Sequence, residues 1–428
     1  MNAMRCCLIA SLLLGACSSQ RYFSHELKLA EKNFKGHVGF VLYDPAQHKS
    51  LYDYQGDRYF TPASNTKIFT FYTALRLLGD SIPAVHYIQR NDSLIFWGTG
   101  DPSFLYRNLY PQNRLYHFLK EQPGRLFISS PNSFADRFGP GWAWDDFSDS
   151  YQAERTAFPL YGNQVNVRIS GDTVTTIPHG FENAVLRKSQ TKDKPEVIRE
   201  TEANIFSYFP GKASASSEWD IPLRWDNELL ARLLSDTLKR EVKSTKTPFV
   251  QGSKTFYSAM SDSLYKVMMQ ESDNFIAEQL LLICSDKLSD TLRTEIAIKY
   301  AKKNLLADLT DEPVWVDGSG LSRYNLMTPR SIVALWEKIY TLVPRERLFP
   351  LLAIGGQTGT LKNQYKSESP YIFGKTGTLK NNHSLSGYLV TRKGRTLIFS
   401  WMNNNFTTPS REVRATMETV LKAVYEKY

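Results

Sequence analysis

Apolar positions along the chain alternate in some stretches and recur at helical spacing in others. Val38, Phe40 and Leu42 alternate within His37–Pro45, which predicts a strand ending in a turn, with Leu51 to Tyr54 as its hairpin partner. From Ile68 through Ala74, Leu75, Leu77 and Leu78 the chain is apolar on nearly all sides. That pattern predicts a buried helix closed by Gly79, and Pro62 suits the approach to it. A hairpin feeding a buried helix predicts an α+β layer, with the helix packed under an antiparallel sheet. From about Ser81 to about Lys246 the texture changes to short strands and Gly/Pro turns. Leu94–Trp97 and Arg125–Ile128 are strand candidates, and Gln164–Ile177 alternates around a two-residue Gly171-Asp172 turn. Leu229, Leu230, Leu233, Leu234 and Leu238 then keep helical spacing. Past Ser258, Leu264 to Met269 marks one helix, and Phe275, Ile276, Leu280 and Leu281 mark another that opens at Ser272-Asp273-Asn274. Val314–Val316 predicts a short strand running into a glycine-rich loop, and Ser331–Tyr340 a helix. Tyr371–Thr378, Leu385–Val390 and Thr396–Met402 close the sheet, and Met417–Tyr425 forms a final helix.

Composition narrows the classes. The chain has 428 residues, 42% hydrophobic and 22% charged, so a sizeable core is affordable. The formal net charge of +9 is spread out, without a basic stripe or zinc-finger spacing. This allows mild attraction to anionic polymers but argues against nucleic-acid readout. Arg5 followed by Leu8–Leu14 has the form of an export signal, too short to span a membrane. Leu14-Gly15-Ala16-Cys17 resembles a bacterial lipoprotein processing box, with Cys17 as the acylated N-terminus; an ordinary secretory signal cut near Ala16 is the alternative. Cys6 and Cys7 would be removed, leaving Cys284 as a core residue and no disulfide. No Cys/His grouping suggests a metal site, and the Gly318–Gly320 loop lacks phosphate-loop spacing, so neither metal nor cofactor is expected.

Three short stretches carry chemistry. Ser64 and Lys67 are one helical turn apart and can meet. A serine needs a base to become a nucleophile, and a lysine serves only if burial moves it towards the neutral form. Ser272-Asp273-Asn274 stands at a helix start, where Ser272 alone would be no more than an N-cap. Lys375-Thr376-Gly377 stands on a strand. A related stretch, Thr358–Lys362, has Gln357 in place of the lysine and is read as a chance match in a loop. Gly141-Trp142-Ala143-Trp144-Asp145-Asp146 is either a pocket wall or a half-buried turn.

Ser-x-x-Lys, Ser-Asp-Asn and Lys-Thr-Gly in this order are the known signature of β-lactamases and penicillin-binding proteins. More than two hundred positions separate the first two motifs. With that spacing the chain resembles the class C, type 4 penicillin-binding proteins, the D-alanyl-D-alanine carboxypeptidase/endopeptidases. Gly98–Pro102, Gly141-Trp142 with Asp145-Asp146, Asp317–Arg323 and Gly374–Leu379 extend the likeness from about Gly36 to the C-terminus. The insertion is shorter than in the larger members. The resemblance implies a β-lactamase/transpeptidase-like α+β fold. Its parts would be a signal (1–16), a first part of the main domain (17–82), a β-rich insertion (83–246) and a second part (247–428).

It also implies a serine D,D-peptidase acting on peptidoglycan stem peptides and acylated by penicillins, lipid-anchored and facing the periplasm, the outer membrane favoured over the inner. Ser64 would attack, Lys67 would take its proton, Ser272 with Lys375 would relay a proton, and Asn274 would hold the substrate backbone. Thr376 and Thr378 would hold the terminal carboxylate with Lys375, and the N–H groups of Ser64 and Thr378 would form the oxyanion hole. Gly377 would leave room for substrate along the strand. Asp145 and Arg323 are the matching candidates for a diaminopimelate head; for Arg323 an ordinary loop ion pair is the competing reading. A serine β-lactamase is the first alternative. It is disfavoured because no Glu-x-x-Leu-Asn follows Ser272 within a few tens of residues. A non-catalytic envelope-binding protein of this fold is the second.

Overall fold

The computed structural model describes residues 21–428 apart from 110–113, 131–133, 135 and 213–215. Cys17 and the export signal lie outside the described residues. The main sheet has six antiparallel strands in the order Ala353–Ile354, Ile372–Leu379, Asn382–Val390, Thr396–Asn404, His37–Asp44, Lys49–Tyr54. The first long strand therefore pairs with the last, His37 opposite Asn404 and Tyr43 opposite Ile398.

Alternation along these strands builds a core on each face. Val38, Phe40, Leu42, Leu385 and Trp401 pack with Phe23, Leu27, Val413, Met417 and Val420 from the helices at 21–34 and Ser410–Lys427. Val41, Tyr388, Ile398 and Met402 point the other way, onto the helices Lys67–Leu77, Asn274–Ser289 and Pro329–Leu342. Cys284 is fully buried there, and burial alone pushes its thiol pKa up, as expected of an inert core residue.

Between the two parts of this unit a second core forms around a five-stranded sheet: Val242–Thr245, Arg125–Ser129, Ser93–Gly98, Ser81–Arg90 and Lys254–Met260. Two three-stranded sheets adjoin it in sequence, one built on the Gln164–Ile177 hairpin that turns at Gly171. The strand Lys254–Met260 pairs with Ser81–Arg90, Met260 opposite Ser81. It lies beyond the boundary expected at 246, because its ladder partner opens the insertion.

Local chemistry moves three other expectations. The buried helix stops at Leu77 with Leu78 extended, and Gly79 takes no left-handed cap, because the chain leads at once into the strand from Ser81. Val314–Val316 makes only an isolated bridge, Val314 to Leu326. Ser272 is not a helix cap: Asp273 is, accepting from the Ile276 N–H at 2.9 Å.

Candidate active site

Ser64 sits in a tight 3-10 turn, Ala63–Thr66, that runs into the helix from Lys67. Asn65, inside the Ser-x-x-Lys motif and fully buried, pins this turn to the sheet. Its Nδ2 donates to the Lys375 carbonyl (3.1 Å) and to Ser384 Oγ (2.9 Å). Gly377 completes the seam. A Cβ there would stand 2.5 Å from the Pro62 carbonyl oxygen and 2.5 Å from Ser384 Oγ. Packing under the Ser64 turn therefore requires a glycine at 377. Gly320 does the same from the other side: its φ is +84°, and a Cβ would lie 1.9 Å from the Ala63 oxygen. Two glycines of different motifs so press on one turn.

Lys67 is fully buried, and its Nζ has three oxygen neighbours: Ser64 Oγ at 2.9 Å, Asn274 Oδ1 at 2.6 Å and the Ser319 carbonyl at 2.6 Å. Burial lowers its pKa to about 8 against the opposing pull of Asp317, Asp273 and Glu278. A neutral amine here donates to the two acceptor-only oxygens, Asn274 Oδ1 and the Ser319 carbonyl. Its lone pair then faces the Ser64 hydroxyl.

The second lysine repeats the pattern. Lys375 is buried, donates to Ser272 Oγ at 2.8 Å and to the Thr376 carbonyl at 2.7 Å, and is held well below an ordinary lysine by burial and then by Lys67. Ser272 has φ +64°, a conformation rare for a non-glycine residue and here the one that brings its hydroxyl to Lys375. Asn274 turns its other amide atom outward, donating to the Tyr151 carbonyl at 3.0 Å.

Ser64, Ser272, Asn274 and Thr378 line one cleft of about 990 Å³, whose far wall carries Asp145, Asp146, Tyr151, Arg323 and Lys380. The Gly141–Asp146 stretch is therefore a cleft wall, but not through its tryptophans. Trp144 is 82% exposed, and Trp142 donates to Asp317 Oδ2 at 3.0 Å. Of the two carboxylates, Asp146 feels Arg323: burial raises its pKa, Asp149 and Asp145 add to that, and Arg323 opposes. Arg323 Nη2 reaches the Lys380 carbonyl at 3.4 Å. Thr376 is nearly buried, and its hydroxyl donates to Thr360 Oγ1 at 2.7 Å, so the loop with the echo motif buttresses the strand. Thr378 Oγ1 is 2.9 Å from Nδ1 of His383, a ring that burial keeps neutral, with a pKa lowered to about 3.

Beneath the cleft, Asp317 accepts four hydrogen bonds: from Gly320 N (2.8 Å), Asn325 Nδ2 (2.8 Å), Ser322 N (2.7 Å) and Trp142 Nε1. It shapes the loop that offers the Ser319 carbonyl to Lys67. Asp317, Asn65, Tyr151 and Glu278 belong to the site although nothing in their sequence neighbourhoods marks them as functional. Among the described residues no group of three or more His, Cys, Asp or Glu side chains could hold a metal ion. No described helix is long and apolar enough to cross a membrane.

The model of the D-Ala-D-Ala carboxypeptidase 3 (S13) family matches residues 27–424. The chain is 23% identical over 419 residues to the D-alanyl-D-alanine carboxypeptidase DacB of Haemophilus influenzae, covering 88% of this chain and 87% of that one. It is 22% identical over 367 residues to the penicillin-sensitive carboxypeptidase A of Dictyostelium discoideum, covering 72% and 69%. Among solved structures, penicillin binding protein 4 from H. influenzae superposes with a TM-score of 0.73 at 21% identity, over 91% of this chain and 97% of that one.

Proposed function

The chain belongs to the D-Ala-D-Ala carboxypeptidase 3 (S13) family, and from that premise we propose that Ser64 is its nucleophile and Lys67 its general base. The protein is a serine D,D-peptidase of peptidoglycan stem peptides and binds β-lactams. The observation that carries the residue assignment is the buried Lys67 amine, 2.9 Å from Ser64 Oγ with a pKa lowered to about 8. Ser64 Oγ attacks the carbonyl of the penultimate D-alanine while its proton passes to Lys67. The tetrahedral oxyanion is held by the N–H groups of Ser64 and Thr378. As the C–N bond breaks, the proton that Lys67 took from Ser64 passes by way of the Ser272 hydroxyl to the leaving amine, which returns Lys67 to the neutral form; Lys375 holds the Ser272 oxygen in place. Water then attacks the ester and gives a proton to the neutral Lys67, which returns it to Ser64 Oγ as the ester C–O bond breaks.

Asn274 orients the substrate backbone, and Lys375, Thr376 and Thr378 hold its terminal carboxylate. Asp145 and Arg323 read the two charges of a zwitterionic side-chain head across the cleft, with Asp146 beside them. The reaction is D-Ala-D-Ala carboxypeptidase action, D,D-endopeptidase action, or both. Cys17 tethers the protein to the outer membrane on its periplasmic side. Incubation with a stem pentapeptide and with a D,D-crosslinked dimer tests the reaction: free D-alanine and resolved monomers are expected. Absence of both products with a folded enzyme would refute the reading. Detergent partitioning that Cys17→Ser abolishes supports the anchor, and a wholly soluble wild type removes it.

A further inference from the structure

Glu278 lies one turn into the helix that Asn274 begins, 1% exposed, and no motif includes it. Its Oε1 accepts from Ser319 N at 2.8 Å, and the Ser319 carbonyl is the one that Lys67 Nζ touches at 2.6 Å. Its Oε2 has no hydrogen-bond partner; the nearest cation is Arg155 Nη1 at 3.6 Å. Arg155 comes from the insertion and is itself buried. Its other donors are taken by neutral oxygens: the carbonyls of Asp136 and Phe138 and the hydroxyl of Thr294. Its guanidinium lies over the Trp142 ring, 5.7 Å from the centroid, and Trp142 is the donor to Asp317. The segment that carries Asp145, Asp146 and Tyr151 to the cleft is thus fastened to both carboxylates under the Lys67 loop.

A buried guanidinium and a buried carboxylate 3.6 Å apart, with no hydrogen bond between them, are costly, and folding stability alone is better served by an apolar pair of the same volume. We propose that Arg155 and Glu278 are positioning residues: Arg155 keeps Glu278 ionised, and Glu278 holds the Ser319 backbone and sets the charge beside Lys67. The pair thereby fixes the pH above which Lys67 can act as base. This rests on Lys67 being the base of acylation.

The charges facing Glu278 are Asp317 from the loop, Arg155 from the insertion and Lys67 from the Ser64 helix; those facing Lys67 are Asp317, Glu278, Asp273 at the start of the Asn274 helix and Lys375 on the sheet. Burial and then Asp317 raise its pKa to about 7, against the opposing pull of Arg155. Without the cation its pKa goes up further, and the neutral form extends over more of the range in which Lys67 titrates. Glu278→Gln keeps the acceptor for Ser319 N and removes the charge, and Arg155→Met keeps volume and removes the cation. Each takes away a negative charge that raises the Lys67 pKa.

The test is the pH profile of penicillin acylation, followed by intact mass. In both variants the acid limb is expected to move to lower pH by roughly one unit, and Arg155→Lys is expected to restore it. Glu278→Ala, lacking the acceptor, also lowers the plateau. A pair that only stabilises the fold would change the melting temperature and leave the limb in place. An unmoved limb in both Glu278→Gln and Arg155→Met overturns the proposal. Should Glu278→Gln not fold, Arg155→Met decides by the same reading. Lys67→Ala in parallel separates the two claims: wild-type acylation by it would sink the base assignment itself.

Discussion

Asp317→Asn perturbs the loop beneath the cleft at one atom. One carboxylate oxygen accepts from Gly320 N and Asn325 Nδ2, the other from Ser322 N and Trp142 Nε1. The asparagine keeps one of these oxygens and turns the other into an amide that donates. Whichever way it sits, two buried donors lose their acceptor and face another donor. At about 1–3 kcal/mol for each buried group left unsatisfied, the substitution costs roughly 2–6 kcal/mol. That is a large share of a typical margin of about 5–15 kcal/mol. Trp142 and Trp315 report the event directly, since Trp315 Nε1 donates to the Asp317 carbonyl at 2.6 Å. Urea unfolding followed by tryptophan fluorescence should show the midpoint fall with little change in slope. Acylation should weaken with it, because the Ser319 carbonyl is no longer held on Lys67. A variant within about 0.5 kcal/mol of wild type would refute the four-bond account.

Acylation by a penicillin should rise with pH. With Lys67 at about 8, the neutral amine grows about tenfold between pH 6 and 7 and levels off above 8, so a rate flat over that range would count against Lys67 as base. Gly377→Ala places a methyl 2.5 Å from the Pro62 oxygen, so it should lower both thermal stability and acylation; full activity would mean the Ser64 turn is free to shift. Truncating Asp145 or Arg323 should lower kcat/KM for a diaminopimelate-type stem peptide by about 1.5–3 kcal/mol, roughly ten- to a hundredfold, and spare acylation by a simple penicillin. Equal losses on both substrates would return the pair to a structural role.

The sheet and its helices were legible because alternation and helical spacing are local, and the order of the three motifs carried the site. What stayed hidden is long-range. Nothing near Gly377 in sequence tells that its neighbour is Pro62. Pairing Lys254–Met260 with Ser81–Arg90 joins residues from opposite ends of the insertion. Gly79 looked like a helix cap because a glycine after an apolar run usually is one; the strand from Ser81 overrides it. Ser272 looked like an N-cap because Asp273 beside it can do that work and does, which frees the serine for Lys375. Thr358–Lys362 looked accidental, yet Thr360 braces Thr376. Glu278, Asn65 and Arg155 gave no signal, since burial of a polar group can be read only once its partners are in place.

Acylation of Ser64 is decided by one mass measurement. Wild type and Ser64→Ala, each shown by circular dichroism to be folded, are incubated with benzylpenicillin, and their intact masses are measured. Wild type should gain the mass of one penicilloyl group and Ser64→Ala none. An adduct of the same mass on the folded Ser64→Ala protein would place the nucleophile elsewhere and contradict the account.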